Sequence, residues 1–332
     1  MNVIRGPYLE DLLAQPAALQ ATIASFGESN AALTKIAQRS FDRIVLTGMG
    51  SSLSACHPLM LRFVHHGRAA MIVDTSELVH GLKSLLTKDT LVIAVSQSGR
   101  SAETVRLVEQ ENRSFALVGV TNTPGSPLAT HADALVLTHA GSETTVSCKT
   151  YVATLAALTH LGDVLFSERT SLAALPETMK HYLDGWRGHV ADLGPLFDGV
   201  RDVFFAGRGA SLAAAYTAGL IVKESTRLHA EGMTSAALRH GPMEMSAPHV
   251  FALVYEGDPA VAPLNHALVA DLERAGMRAR IAGPTATVAA LRLPTDPVLD
   301  ILPAQMISIV LAAHVGIEAG RFLHATKITA TE

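Results

Sequence analysis

Thr90-Leu91-Val92-Ile93-Ala94-Val95-Ser96-Gln97-Ser98-Gly99-Arg100-Ser101-Ala102-Glu103-Thr104 is an apolar run that ends abruptly in small hydroxyl residues and a glycine. Beyond it, Val105, Leu107 and Val108 take up the apolar spacing of a helix. The pattern predicts a buried strand, a tight loop and a helix N-terminus. Such a turn aims backbone N–H groups and the positive end of the helix dipole at one point. Ser96, Ser98 and Ser101 can add hydroxyl donors there, and Gln97 an amide. The chain has no Walker lysine motif and no G-x-G-x-x-G, so the loop suits a compact phosphate better than a nucleotide. At this level an ordinary strand-to-helix turn with N-capping serines reads the same.

Outward from this loop, strands and helices alternate. Residues 7–39 have helical spacing, with Pro16 as punctuation. Strands are predicted at 43–46, 69–73, 91–95, 115–120 and 134–137, and a long apolar helix over 150–166. Strands separated by helical segments form βαβ units and a parallel sheet. Ligands of such sheets sit beyond the carboxyl ends of the strands, where Ser52 and the Ser96–Ser101 loop both fall. Residues 170–186 are helical and more polar, and read as a connection. The design then recurs. Thr47-Gly48-Met49-Gly50-Ser51-Ser52-Leu53-Ser54-Ala55 and Ala206-Gly207-Arg208-Gly209-Ala210-Ser211-Leu212-Ala213-Ala214 both follow a strand and share G-x-G-x-S-L-x-A. An internal duplication follows from that match. Where the first half has Ser96-Gln97-Ser98-Gly99, the second has Glu256-Gly257-Asp258-Pro259 after its strand. Two carboxylates there would repel an anion, which assigns the phosphate to the first half.

Composition narrows the function. The 332 residues suffice for about two domains, and an apolar content of 48% suits parallel strands buried on both faces. A net charge of −4 with no basic tail argues against nucleic acid. Cys56 and Cys148 form neither metal spacing nor a disulfide framework, and the 15 histidines show no ligand pattern, so no metal is expected. The N-terminus carries Arg5, Glu10 and Asp11 and has no signal-peptide core. The longest apolar run, near Met306, stops at His314, too short to span a bilayer. Together these set the expectation of a cytoplasmic protein without a membrane partner.

Ionisable groups concentrate between Glu224 and His240, including His229, Glu231 and Arg239. His240 precedes Gly241-Pro242 on a rigid turn that can fix an imidazole. Lys327 stands in a short C-terminal tail; at its ordinary pKa of ~10.4 a lysine has little free amine at neutral pH. Taken singly, each of these residues also fits a plain structural role.

Together these residues resemble the double-SIS (sugar isomerase) family, specifically the isomerase half of glucosamine-6-phosphate synthase and its deaminase relatives. The likeness extends from about residue 40 to the last residue. It rests on the Ser96-Gln97-Ser98-Gly99-x-Ser101 loop with Ser52, and on Val146-Ser147-Cys148-Lys149-Thr150-Tyr151, one residue shorter than the family's V-A-S-T-K segment. It also rests on Lys223-Glu224, His229-Ala230-Glu231 and His240-Gly241-Pro242 in ungapped register, and on Lys327 in the tail. The resemblance implies an α/β fold of two tandem SIS domains, each a parallel sheet flanked by helices in a flavodoxin-like three-layer sandwich. The expected boundaries are a helical segment at 1–39, a phosphate-binding domain at 40–168, a helical connection at 169–192, and a second domain with the catalytic tail at 193–332.

By the same resemblance, Ser52, Ser96, Gln97, Ser98 and Ser101 would hold a sugar phosphate, with Gly50, Ser51, Val146 and Ser147 contacting the sugar. His240 would open the pyranose ring from the neighbouring subunit of a homodimer. Glu224 would carry a proton between C1 and C2, and Lys327 would close over the open-chain sugar. No cofactor is implied. Two departures stand out: Thr217 occupies the place of a second glutamate in the synthase, and no Cys-Gly-Ile glutaminase domain precedes Met1-Asn2-Val3. The expected activity is therefore conversion of glucosamine 6-phosphate, or a close relative, to the ketose phosphate and ammonia, without glutamine. An aldose–ketose phosphate isomerase, a fructosamine-phosphate deglycase and a non-catalytic sugar-phosphate sensor are the alternatives.

Overall fold

A computed structural model describes residues 2–26, 30–324, 326–329 and 331. In it the chain forms two compact units, each with its own parallel sheet. The first unit comprises Gln15–Glu143, Cys148–Pro176 and His324–Glu332; the second comprises Met1–Ala14, Thr144–Ser147 and Glu177–Leu323. The units therefore interleave along the chain, whereas the boundaries read from sequence run consecutively. The tail after Leu323 groups with the first unit because its partners are there: the N–H of Ala102 donates to the carbonyl of Thr329 at 3.1 Å, and Lys327 pairs with Glu143.

In the first unit, strands β1 (Arg43–Gly48), β2 (Ala70–Asp74), β3 (Thr90–Val95), β4 (Ala116–Thr121) and β5 (Ala134–Leu137) lie in the order β2-β1-β3-β4-β5, all parallel. The predicted strands differ from these by one or two residues at their ends, the usual scatter where a ladder frays. β3 and β4 are buried along their whole length, which is why they read as unbroken apolar runs rather than as alternating ones. One face, through Val45, Val92, Ala94 and Leu117, packs on Leu78, Val79, Leu107, Val108 and Leu128. Ile44, Leu46, Ile93 and Val118, which alternate with those residues and so point the other way, are equally buried. The helix Lys149–Phe166 packs against β4 and β5.

Pro16 punctuates the N-terminal helices, as read from sequence: the helix Pro7–Leu13 ends just before it. Pro16 sits in the first turn of Gln15–Ser25, where its missing N–H costs nothing.

The second unit repeats the plan with β6 (Asp202–Gly207), β7 (His229–Thr234), β8 (Val250–Tyr255) and β9 (Arg278–Ala282) in the order β7-β6-β8-β9, again parallel. The helix Leu212–Thr226 crosses this sheet in close contact. A Cβ on Gly219 would stand 2.8 Å from the carbonyl carbon of Glu231, and one on Gly232 2.5 Å from the Cα of Tyr216. Only glycine at both places allows that approach. Both sheets bear out the fold class expected from sequence. Among the described residues no helix is long and apolar enough to cross a membrane.

Candidate functional site

The order β2-β1-β3-β4-β5 reverses direction between β1 and β3, and a crevice opens at such a point beyond the strand ends. Gly48 is in register with Val95, so the turn after β1 and the loop after β3 leave the sheet side by side. A Cβ on Gly48 would lie 2.8 Å from the carbonyl oxygen of Val95, which keeps the two turns in contact. From β1 comes the short helix Gly50–Ser54 carrying Ser51 and Ser52, both half-buried. Gly50 and Ser51 are its first residues, whose N–H groups have no partner within a helix.

From β3 comes Ser96–Ser101. Ser96 and Ser98 are buried, and their hydroxyls accept the N–H groups of Gly99 at 3.1 Å and Arg100 at 3.2 Å. The carbonyl of Gln97 accepts from Asn122 N–H at 3.0 Å and from the hydroxyls of Thr121 and Thr123. Gly99 has φ +60 and abuts Ser126. The loop is thus held from beneath by the turn after β4. Among the described residues the N–H groups of Gln97, Ser98 and Ser101 make no hydrogen bond. Backbone donors and small hydroxyls gathered at one crevice suit a phosphate group.

The tail joins the same unit. Lys327 Nζ donates to Glu143 Oε2 at 2.6 Å, and the Glu143 side chain is fully buried. That carboxylate also accepts the N–H groups of Cys148 at 2.9 Å and Thr150 at 3.1 Å, and the Thr150 hydroxyl at 2.6 Å. Burial alone would raise its pKa. The Lys327 ammonium outweighs that, with help from Thr150 and Cys148, and holds the carboxyl below the usual glutamate range.

Residues 36–162 match the family described as the SIS domain. Those residues form a SIS domain. The chain is 32% identical over 267 residues to a glutamine–fructose-6-phosphate aminotransferase (isomerizing) of Pyrococcus horikoshii, covering 76% of this chain and 42% of that protein. The chain thus spans about two fifths of that relative's length. Its fold is that of the C-terminal domain of glucosamine-fructose-6-phosphate aminotransferase from Francisella tularensis, with a TM-score of 0.81 at 20% identity over 96% of this chain and 98% of the other. It is also that of a glucosamine-6-phosphate deaminase from Thermotoga maritima, with a TM-score of 0.77 at 16% identity over 97% and 99%.

Of the residues singled out by sequence, the first unit holds Gly50, Ser51, Ser52, Ser96, Gln97, Ser98, Ser101 and Lys327. The second unit holds Val146, Ser147, Glu224 and His240. Val146 is fully buried and Ser147 half-buried. Glu224 is half-buried on the last turn of Leu212–Thr226. Two turns earlier on that helix, the buried Thr217 hydroxyl has no hydrogen-bond partner among the described residues. His240 ends the helix Ser235–Arg239 and is exposed, followed by Gly241 at φ +136.

At the loop after β8 in the second unit, side chains engage several backbone groups. Asn265 Nδ2 donates to the carbonyls of Tyr255 at 2.9 Å and Glu256 at 3.1 Å, and Arg208 Nε donates to Asn265 Oδ1 at 3.2 Å. Glu256 is buried and accepts Thr285 N–H at 2.9 Å. Sequence reasoning missed Glu143 and Asp300. Asp300 is buried, accepts the Ser211 hydroxyl at 2.8 Å, and is pushed by burial up to about 7. Neither residue stands in a periodic pattern. The sole local hint to Glu143 is an acidic residue just ahead of a long apolar helix.

Proposed function

We propose that the crevice between β1 and β3 binds the phosphate of a sugar phosphate, and that the protein is a phosphosugar deaminase acting on glucosamine 6-phosphate or a close relative. The observation that carries this reading is the cradle itself: Ser52 beside Ser96–Ser101, with loop N–H groups that make no hydrogen bond among the described residues, at the point where the sheet reverses. The isomerizing relatives and the deaminase with the same fold support it.

In this reading His240, acting from a second copy of the chain, opens the pyranose ring. Its exposure on a rigid turn suits that task. Glu224 takes the C2 proton of the open-chain aldehyde as O1 gains one, giving an enolamine, and returns a proton to C1. One carboxylate within reach of two adjacent carbons suffices. The product is the C2 imine of the ketose phosphate, and attack of water at C2 releases ammonia and leaves the ketone. Lys327 closes over the open chain. The enzyme works as a cytoplasmic homodimer without a cofactor.

The test is ammonia release from a panel of hexosamine 6-phosphates, with Glu224→Gln as control. Turnover that falls at least about 100-fold in the variant, in line with loss of a general base, supports the reading. Full turnover in Glu224→Gln overturns the role of that residue. Ketose formation without ammonia identifies an aldose–ketose isomerase. Binding without turnover identifies a sensor.

A further inference from the structure

A fully buried carboxylate is costly to keep charged unless a cation or several donors satisfy it. Glu143 has both. Four donors come from Cys148 and Thr150, at the start of the helix Lys149–Phe166, the Cys148 thiol among them at 3.4 Å, and hold the carboxylate rigidly. A further donor is the Lys327 ammonium, 184 residues away in sequence and only partly exposed. The next contact of the tail, Ala102 N–H to Thr329 O, lies at the junction between the Ser96–Ser101 loop and its helix. These contacts pin the tail to the first unit, one of them where the loop assigned to phosphate meets its helix.

We propose that Glu143 is the positioning residue for Lys327: it docks the C-terminal tail on the first unit and sets the lysine where the open-chain sugar is handled. The inference rests on the proposed phosphosugar reading for its catalytic half, and on geometry alone for its docking half. Cys148 and Thr150 fix the carboxylate from one side. The ion pair then transmits that position to the tail.

The experiment measures both halves on the full-length protein. Thermolysin, which cuts before large apolar residues, reports tail docking at Leu323 and Ile328, both exposed at the surface. Glu143→Gln is expected to speed cleavage there about tenfold while cleavage elsewhere keeps its rate. Lys327→Met, which keeps the donors from Cys148 and Thr150 on the carboxylate, is expected to do the same, and the double variant to do no more than either. Glu143→Asp is expected to recover part of the protection. On a hexosamine 6-phosphate, Glu143→Gln is expected to lose about 100-fold in kcat with KM within about threefold, because the phosphate loop is untouched.

Unchanged tail cleavage in both single variants overturns the proposal. So does a loosened tail with unchanged kcat, which makes Glu143 an anchor and nothing more. A wild-type protein inactive on every sugar of the panel fails the functional reading instead, and the docking role then stands or falls on the cleavage rates.

Discussion

Ser211 and Asp300 show how a side chain's chemistry is set by what surrounds it. Asp300 is buried, accepts the Ser211 hydroxyl and the Asp296 N–H, and lies near the carboxylates of Asp296 and Asp258. Burial dominates and lifts its carboxyl from 3.8 to about 7. An acid whose folded pKa is raised binds its proton more tightly when folded, so its contribution is full below pH 3.8 and is lost as the pH rises toward 7. Asp300→Asn removes that loss. The variant is expected to gain stability relative to wild type between pH 4 and pH 8, on the order of 4 kcal/mol, seen as a Tm difference that grows with pH. Thermal melts of both proteins at the two pH values check this. A Tm difference that stays constant with pH means that Asp300 does not carry the charge change. Ser96 and Ser98 were legible at this scale because hydroxyl residues closing an apolar run are a local signal. Asp300 was not, because its burial depends on elements far away in the chain.

At the scale of the element, the decisive piece is the strand–loop–helix from Thr90 to Val108. β3 is central in its sheet and buried on both faces, so its apolar run announced it. What the run did not announce is how the loop is supported. Gly99 turns the chain at φ +60, and a Cβ there would collide with Ser126. Its carbonyl also accepts Leu128 N–H at 3.2 Å, which ties the loop to the turn after β4. Gly99→Ala meets both the backbone cost of the left-handed region and the clash. It is expected to lower stability by about 1–3 kcal/mol and to weaken fructose 6-phosphate binding at least tenfold. Urea unfolding and calorimetric titration measure the two effects. A variant with wild-type affinity would mean that the phosphate lies elsewhere.

At the scale of the whole molecule, the two units share a strand order but differ at their crevices. The first presents the hydroxyls of Ser52, Ser96, Ser98 and Ser101, while the second places the carboxylates of Glu256 and Asp258 at the matching turn. One sugar phosphate per chain is therefore expected by calorimetric titration, and Ser98→Ala, which also removes the acceptor of Arg100 N–H, is expected to reduce its affinity at least tenfold. Two sites per chain would assign a ligand to the second crevice as well.

The parallel α/β class, the duplication and the serine loop are properties the sequence determined by itself. Each is written in contiguous residues, as an apolar run, a repeated G-x-G-x-S-L-x-A or a cluster of hydroxyls, and each needs only short-range physics to read. The membership of the tail, the Glu143–Lys327 pair and the raised Asp300 were decided only in the tertiary structure. The pair joins residues 184 positions apart, and Ser211 and Asp300 are 89 apart. A buried charge takes the partner that packing brings to it, and no local pattern along the chain records which partner that is.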